Sequence, residues 1–180
     1  MKEEAQMYRE LGADAIVTGI VRPNGTLNIE QMQELLDMAE GTDFTLHRVF
    51  DMCRDPFEAL EQAISLGMKT ILPSGQRNSA GEGRDLLKAL AEKSAGRIEI
   101  LAGAGITSDI LVKLISYTKV SAYHMSGKIA KDSTMLYRRE GVNMGLPGFS
   151  EYEVWQTEAK NIKNASKILE ECADDQGNCV

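Results

Sequence analysis

One unit recurs along the first two thirds of this chain: a short apolar strand, a polar loop, then an amphipathic helix. Strands are read at Ala15–Val21, Phe44–Phe50, Thr70–Pro73, Ile98–Ala102 and Val120–Met125. Most are too evenly apolar to alternate in and out, which suits parallel strands covered on both faces. Between them, Ile29–Ala39 carries Ile29, Met32, Leu35, Leu36 and Ala39 on one helical stripe, and Phe57–Leu66, Leu86–Leu90 and Ile110–Ile115 repeat the pattern. Local signals agree with this division. Asp55-Pro56 sets a capping carboxylate before a first-turn proline, Thr107-Ser108-Asp109 offers N-caps, and Gly12, Gly41 and Gly67 follow helices as stops. Strands alternating with helices imply an α/β fold with a parallel sheet and right-handed crossovers, of the (β/α) barrel type with about five βα units.

The pattern changes after Met125. Residues 126–150 hold Gly127, Gly141, Gly145, Pro147 and Gly148 and read as a long loop; 151–172 read as a final helix and Ala173–Val180 as a frayed tail. No linker marks a second domain, so a single domain over 1–180 is expected. The net charge of −7 argues against nucleic acid or an anionic membrane as the main partner, while leaving room for a small anionic ligand in a local pocket. No apolar run reaches the length of a membrane span, and the opening Met-Lys-Glu-Glu-Ala-Gln has no apolar core of a secretory signal. Cysteines at 53, 172 and 179 form no zinc pattern and no even disulfide set, which fits reduced thiols in a cytoplasmic protein.

Chemistry-bearing residues gather at the expected strand exits, where repeating βα folds hold their ligands. The run Thr45-Leu-His-Arg-Val-Phe-Asp-Met-Cys-Arg-Asp-Pro56 offers His47 as an acid/base, Arg48 as an anion clamp and Asp51 to orient either. A regular strand would put His47 and Asp51 on one face and Arg48 on the other, so the three converge only if the strand ends near Val49. A purely structural Arg48–Asp51 pair is the competing reading. Ser74-Gly75-Gln76 closes the third strand as a hydrogen-bonding turn, with Ser74 and Gly75 as candidate ligand- or phosphate-binding residues. Ala102-Gly-Ala-Gly-Ile106 runs into a helix, and His124-Met-Ser126-Gly127 closes the last strand. Gly103, Gly105, Ser126 and Gly127 thus sit on consecutive small-residue loops, the usual phosphate cradle of such barrels, or simply make tight turns. His47, Cys53 and His124, with Met52 and Met125 nearby, are ligand types that suit Cu(I), though their spacing is not that of a dedicated copper motif.

With those residues in hand, the chain resembles the CutC family of copper homeostasis proteins. The resemblance is carried by Gly12-Ala-Asp14, Pro23-Asn-Gly25 with Leu27, Leu46-His-Arg-Val-Phe-Asp51 with Cys53-Arg-Asp-Pro56, Ser74-Gly75-Gln76, Ala102-Gly-Ala-Gly-Ile106 and His124-Met-Ser126. It implies an eight-stranded barrel with its pocket at the C-terminal strand ends, a part in copper tolerance, and Cu(I) binding; it implies no particular reaction. Measured against the family, this chain begins near the fourth strand, without the opening cysteines usually linked to copper, and Pro73 stands where Thr is usual. Five strands cannot close such a barrel, so Ala15–Val21 and Val120–Met125 are expected as open edges and a homo-oligomer as the expected state. Two functions therefore stand side by side: copper homeostasis with weak Cu(I) binding, and a barrel enzyme or binding protein for a phosphorylated or carboxylated small molecule.

Overall fold

The computed structural model describes residues 1–142, 144–145 and 150–177. It divides into two compact units, Met1–Met125 and Ser126–Val180. The first unit alternates α1 (Lys2–Glu10), β1 (Ala15–Thr18), α2 (Ile29–Met38), β2 (Asp43–Leu46), α3 (Pro56–Ser65), β3 (Thr70–Ile71), α4 (Arg84–Ser94), β4 (Glu99–Ala102), α5 (Ser108–Thr118) and β5 (Ala122–Tyr123). The strands form one parallel sheet in the order β1-β2-β3-β4-β5, so each strand lies beside its neighbour in sequence. That arrangement follows from βα units laid down one after another with the same hand.

The sheet's two faces differ. Side chains paired across parallel strands share a face, and Thr18, Leu46, Ile71 and Ile100 form one such row, all buried. Met32, Leu35, Leu60, Leu87, Leu90, Leu111 and Leu114 supply the buried stripes of the helices. The opposite row runs Val17, Thr45, Thr70 and Glu99, with Val17 and Glu99 exposed. Strands β1 and β5 end the sheet among the described residues.

Helix starts follow their caps. The Asp55 carboxylate accepts from the Phe57 and Glu58 amides at 2.9 and 3.1 Å, with Pro56 in the first turn. Thr107 caps α5 through the Ile110 amide. The strands are shorter than the apolar runs suggest. The most consequential case is β2, which stops at Leu46, four residues before Phe50, because the chain winds into a 3₁₀ turn over Arg48–Met52.

The second unit departs from the expected loop over 126–150 and helix over 151–172. Strand β6 (Lys128–Asp132) pairs antiparallel with β7 (Glu153–Thr157), and α6 begins only at Ala159 and runs to Gly177. Val154, Trp155 and Thr157 are strand formers, and the pairing partner they need lies beyond a local reading. Lys128 stacks over the Trp155 ring at 4.4 Å, while Arg138 grips Asp132 with two hydrogen bonds of 2.6–2.8 Å. Pro147, Gly148 and Cys179 lie outside the described residues. No helix among the described residues is long and apolar enough to cross a membrane.

Truncating the fully buried Leu60 to alanine is expected to cost about 2–5 kcal/mol of unfolding free energy in urea. Val112→Ala, on the half-exposed outer side of α5, is expected to stay within about 1 kcal/mol.

Candidate functional site at the strand ends

The end of β2 answers the geometric question raised by the sequence. His47 stays extended and its Nδ1 accepts the Val49 amide at 3.1 Å, which starts the 3₁₀ turn. The turn carries Arg48 and Asp51 to the same side, and Arg48 Nε donates to Asp51 Oδ2 at 3.0 Å. Arg48 Nη2 continues to Ser74 Oγ at 2.8 Å and the Arg77 carbonyl at 3.3 Å. Arg48 and Asp51 therefore meet, and Ser74 joins them from the end of β3.

Asp51 is the hub. Its side chain is only 6% exposed, yet it accepts from four groups: Arg48 Nε, the Ser74 amide, Ser74 Oγ and the Gln76 amide, at 2.9–3.0 Å. A buried carboxylate is tolerated when its lone pairs are filled by charged and amide donors. Ser74 Oγ lies 2.9 Å from Asp51 Oδ2 and 2.6 Å from the Arg77 carbonyl, two acceptors for its single proton. Fully buried, Ser74 links Asp51, Arg48 and the Arg77 carbonyl in one network.

The turn around Asp51 needs glycine. Gly75 has φ +75°, and a Cβ there would lie 2.1 Å from the Gly83 carbonyl oxygen; a Cβ on Gly83 would lie 2.0 Å from the Ser74 oxygen. Two backbones touch where only glycines fit. Gly83 was not a candidate on sequence, and its only local signal is the Gly81-Glu-Gly83 run ahead of α4. Gln76 also adopts positive φ, and its Nε2 donates to the Cys53 carbonyl at 2.5 Å.

The glycine turn after β4 packs on this assembly. The Gly103 amide donates to the Pro73 carbonyl at 3.0 Å, and the Ala104 carbonyl accepts the Ala80 amide at 2.9 Å. Ala104 and Gly105 both have positive φ before Thr107 caps α5. Ser126 and Gly127 belong to the second unit. There Ser126 Oγ accepts from the Lys128 amide, and Asn161 Nδ2 donates to the Gly127 carbonyl at 3.0 Å.

The copper-ligand set meets a different outcome. Cys53 is buried, and burial pushes its thiol up to about 11, with the negative charges of Asp51 and Glu58 adding to the effect. His47 is half-buried and has Nδ1 occupied, while His124 is exposed at the end of β5. Among the described residues no three or more His, Cys, Asp or Glu side chains group so as to hold a metal ion, and His47, Cys53 and His124 form no such group. Across the 3₁₀ turn that follows His47, the buried Cys53 thiol faces the Val49 carbonyl at 3.7 Å.

The CutC family model matches residues 1–129, ending close to the boundary between the two units. A family protein CutC of Bacteroides thetaiotaomicron is 40% identical over 170 residues, covering 94% of this chain and 68% of that protein. One from Histophilus somni is 36% identical over 171 residues, covering 95% and 70%. The chain belongs to the CutC family. The crystal structure of the CutC protein of Streptococcus agalactiae, described with copper homeostasis as its proposed role, superposes with a TM-score of 0.64 at 31% identity. That match covers 68% of this chain and 60% of the other, so this CutC chain spans less than two thirds of that structure. The parallel sheet and its helices are thus the α/β, barrel-type fold of the CutC family.

The raised Cys53 pKa makes two measurable claims. Reaction of that thiol with a disulfide reagent is expected to stay slow at pH 8 and to rise towards pH 11, as followed by mass mapping of the labelled cysteine. Because the folded pKa lies above the thiol's ordinary value of 9.0, the proton it retains favours the folded chain less and less above that value. Stability is therefore expected to fall between about pH 9 and 11, and Cys53→Ser should flatten that part of the profile.

Proposed function

We propose that this CutC-family chain serves copper homeostasis through a small anionic ligand, phosphorylated or carboxylated, bound at the strand-end mouth, and not through a standing copper centre. The observation that carries the reading is the state of Arg48. Its Nε and Nη2 are committed to Asp51, Ser74 and the Arg77 carbonyl, its side chain remains 46% exposed, and Nη1 has no hydrogen-bond partner among the described residues. A guanidinium held from behind with a free edge toward solvent is a donor arrangement suited to an oxyanion. The glycine turn at Gly103 and Gly105, packed on the neighbouring loop, supports the same reading by letting main-chain groups approach a ligand closely. Ser126 and Gly127 remain candidates for a second ligand-binding turn.

Among the described residues at the exit of β2, His47 is a proton-transfer candidate. With Nδ1 accepting from the Val49 amide, only Nε2 is left to exchange a proton with a ligand. No carboxylate is hydrogen-bonded to it among the described residues, so the reading is one of binding, with no reaction attached. Copper binding through His47, Cys53 and His124 is the second reading, favoured by the role proposed for the Streptococcus agalactiae relative. It requires the buried, protonated Cys53 thiol to open and ionise. The free cysteines among the described residues, Cys53 and Cys172, fit a cytoplasmic setting, and the terminal place of strand β1 in the sheet favours a homo-oligomer that covers that edge.

Titrating the chain with inorganic phosphate is expected to shift backbone resonances at Arg48 and Ser74–Arg77, with Arg48→Ala abolishing the shifts; unperturbed resonances in the native chain would sink the anion reading. In parallel, Cu(I) delivered against a competing chelator is expected to bind no tighter than to free cysteine. Tight stoichiometric uptake, lost in Cys53→Ser, would instead establish the second reading.

A further inference from the structure

We infer that the strand-end mouth recognises its anion by oriented donors and not by net charge, and that Asp51 is the positioning residue that sets the orientation. This deepens the anion reading and relies on it for the ligand. The chain carries a net charge of −7, and in the mouth the Arg48 cation is already paired with Asp51 at 3.0 Å. An approaching anion meets an ion pair whose charges nearly cancel, so long-range attraction contributes little. What remains is the direction in which the Arg48 fork points.

That direction is set from behind. Asp51, 6% exposed, cannot reach a ligand, but it holds Arg48 Nε on one oxygen while both of its oxygens gather the amides and hydroxyl of Ser74 and Gln76. Ser74 in turn accepts Arg48 Nη2 on the hydroxyl that Asp51 orients. Arg48 is thus fixed at two of its three nitrogens by groups that depend on one carboxylate. A carboxamide in its place would turn an NH₂ group toward one set of these donors whichever way it is flipped. It would also weaken the hold on Arg48, leaving Nη2 on the Arg77 carbonyl, and make the mouth one unit more positive.

The two accounts of recognition then predict opposite signs for Asp51→Asn. Attraction by net charge predicts tighter phosphate binding, whereas oriented donors predict weaker binding in spite of the added charge. Titration of inorganic phosphate into the full chain is expected to show Asp51→Asn binding about tenfold more weakly than the native protein, with Arg48→Lys, which keeps the charge and loses the fork, weakened to a similar extent. Equal or tighter binding by Asp51→Asn overturns the inference and leaves the anion reading standing. Since Asp51→Asn also loosens the turn, Ser74→Ala is the second variant. It keeps the main-chain bonds to Asp51 and removes only the hydroxyl, and about threefold weaker binding is expected with the amide spectrum preserved; unchanged affinity counts against the inference. A ligand-free readout covers the case in which the native chain binds no phosphate and the anion reading itself falls. The Arg48 Nε–H resonance should exchange slowly with water in the free native protein and rapidly in Asp51→Asn; rapid exchange in the native protein overturns the positioning role outright.

Discussion

The Asp51 carboxylate stands at the centre of the strand-end mouth, and the surrounding backbone takes its course from it. A carboxylate this deeply withdrawn from water is costly unless its oxygens are filled, and the fold fills them with one guanidinium, two amides and one hydroxyl. To deliver those amides, the chain after β3 must turn back on itself at Gly75 and Gln76. That turn brings Gly75 against Gly83 at a separation no side chain permits. The loop so formed accepts the glycine turn after β4 through the Ala80–Ala104 hydrogen bond. One buried charge therefore links the exits of three consecutive strands.

The same arrangement separates two chemistries that lie within a few residues of each other. The 3₁₀ turn sends Arg48 toward solvent and Cys53 toward the core, beneath the negative charges of Asp51 and Glu58. The Asp51 carboxylate that holds the guanidinium also adds to the burial that keeps the thiol protonated. Family membership and local geometry are thus compatible without being equivalent. The chain is a CutC protein by its relatives, and what its strand ends hold ready is an oriented cation.

Much of the fold was legible because it is written in local terms. Asp55-Pro56 and Thr107 cap helices through groups two or three residues away, and the parallel sheet follows from the order of strands and helices. The elements that were misjudged are those whose partners lie far off. Glu153–Thr157 reads as part of a helix until Lys128–Asp132 is beside it, and Phe44–Phe50 reads as one strand until His47 caps the turn that ends it. At the site, residue types marked Arg48, Asp51 and Ser74, while Gly83 had only the Gly81-Glu-Gly83 run and the Arg77 carbonyl carried no signal of its own.

By itself the sequence determined the βα repeat, the capped starts of α3 and α5 and the place of the chemistry at the exit of β2, since periodicity and capping act over a few residues. Only the tertiary structure decided what that chemistry is. Whether Asp51 acts on a ligand or holds the loop depends on Ser74 and Gln76, more than twenty residues further along the chain. Whether Cys53 is a metal ligand depends on the packing that buries it. Burial and long-range hydrogen bonding assign a role to a charged group, and neither is a property of the residues next to it in sequence.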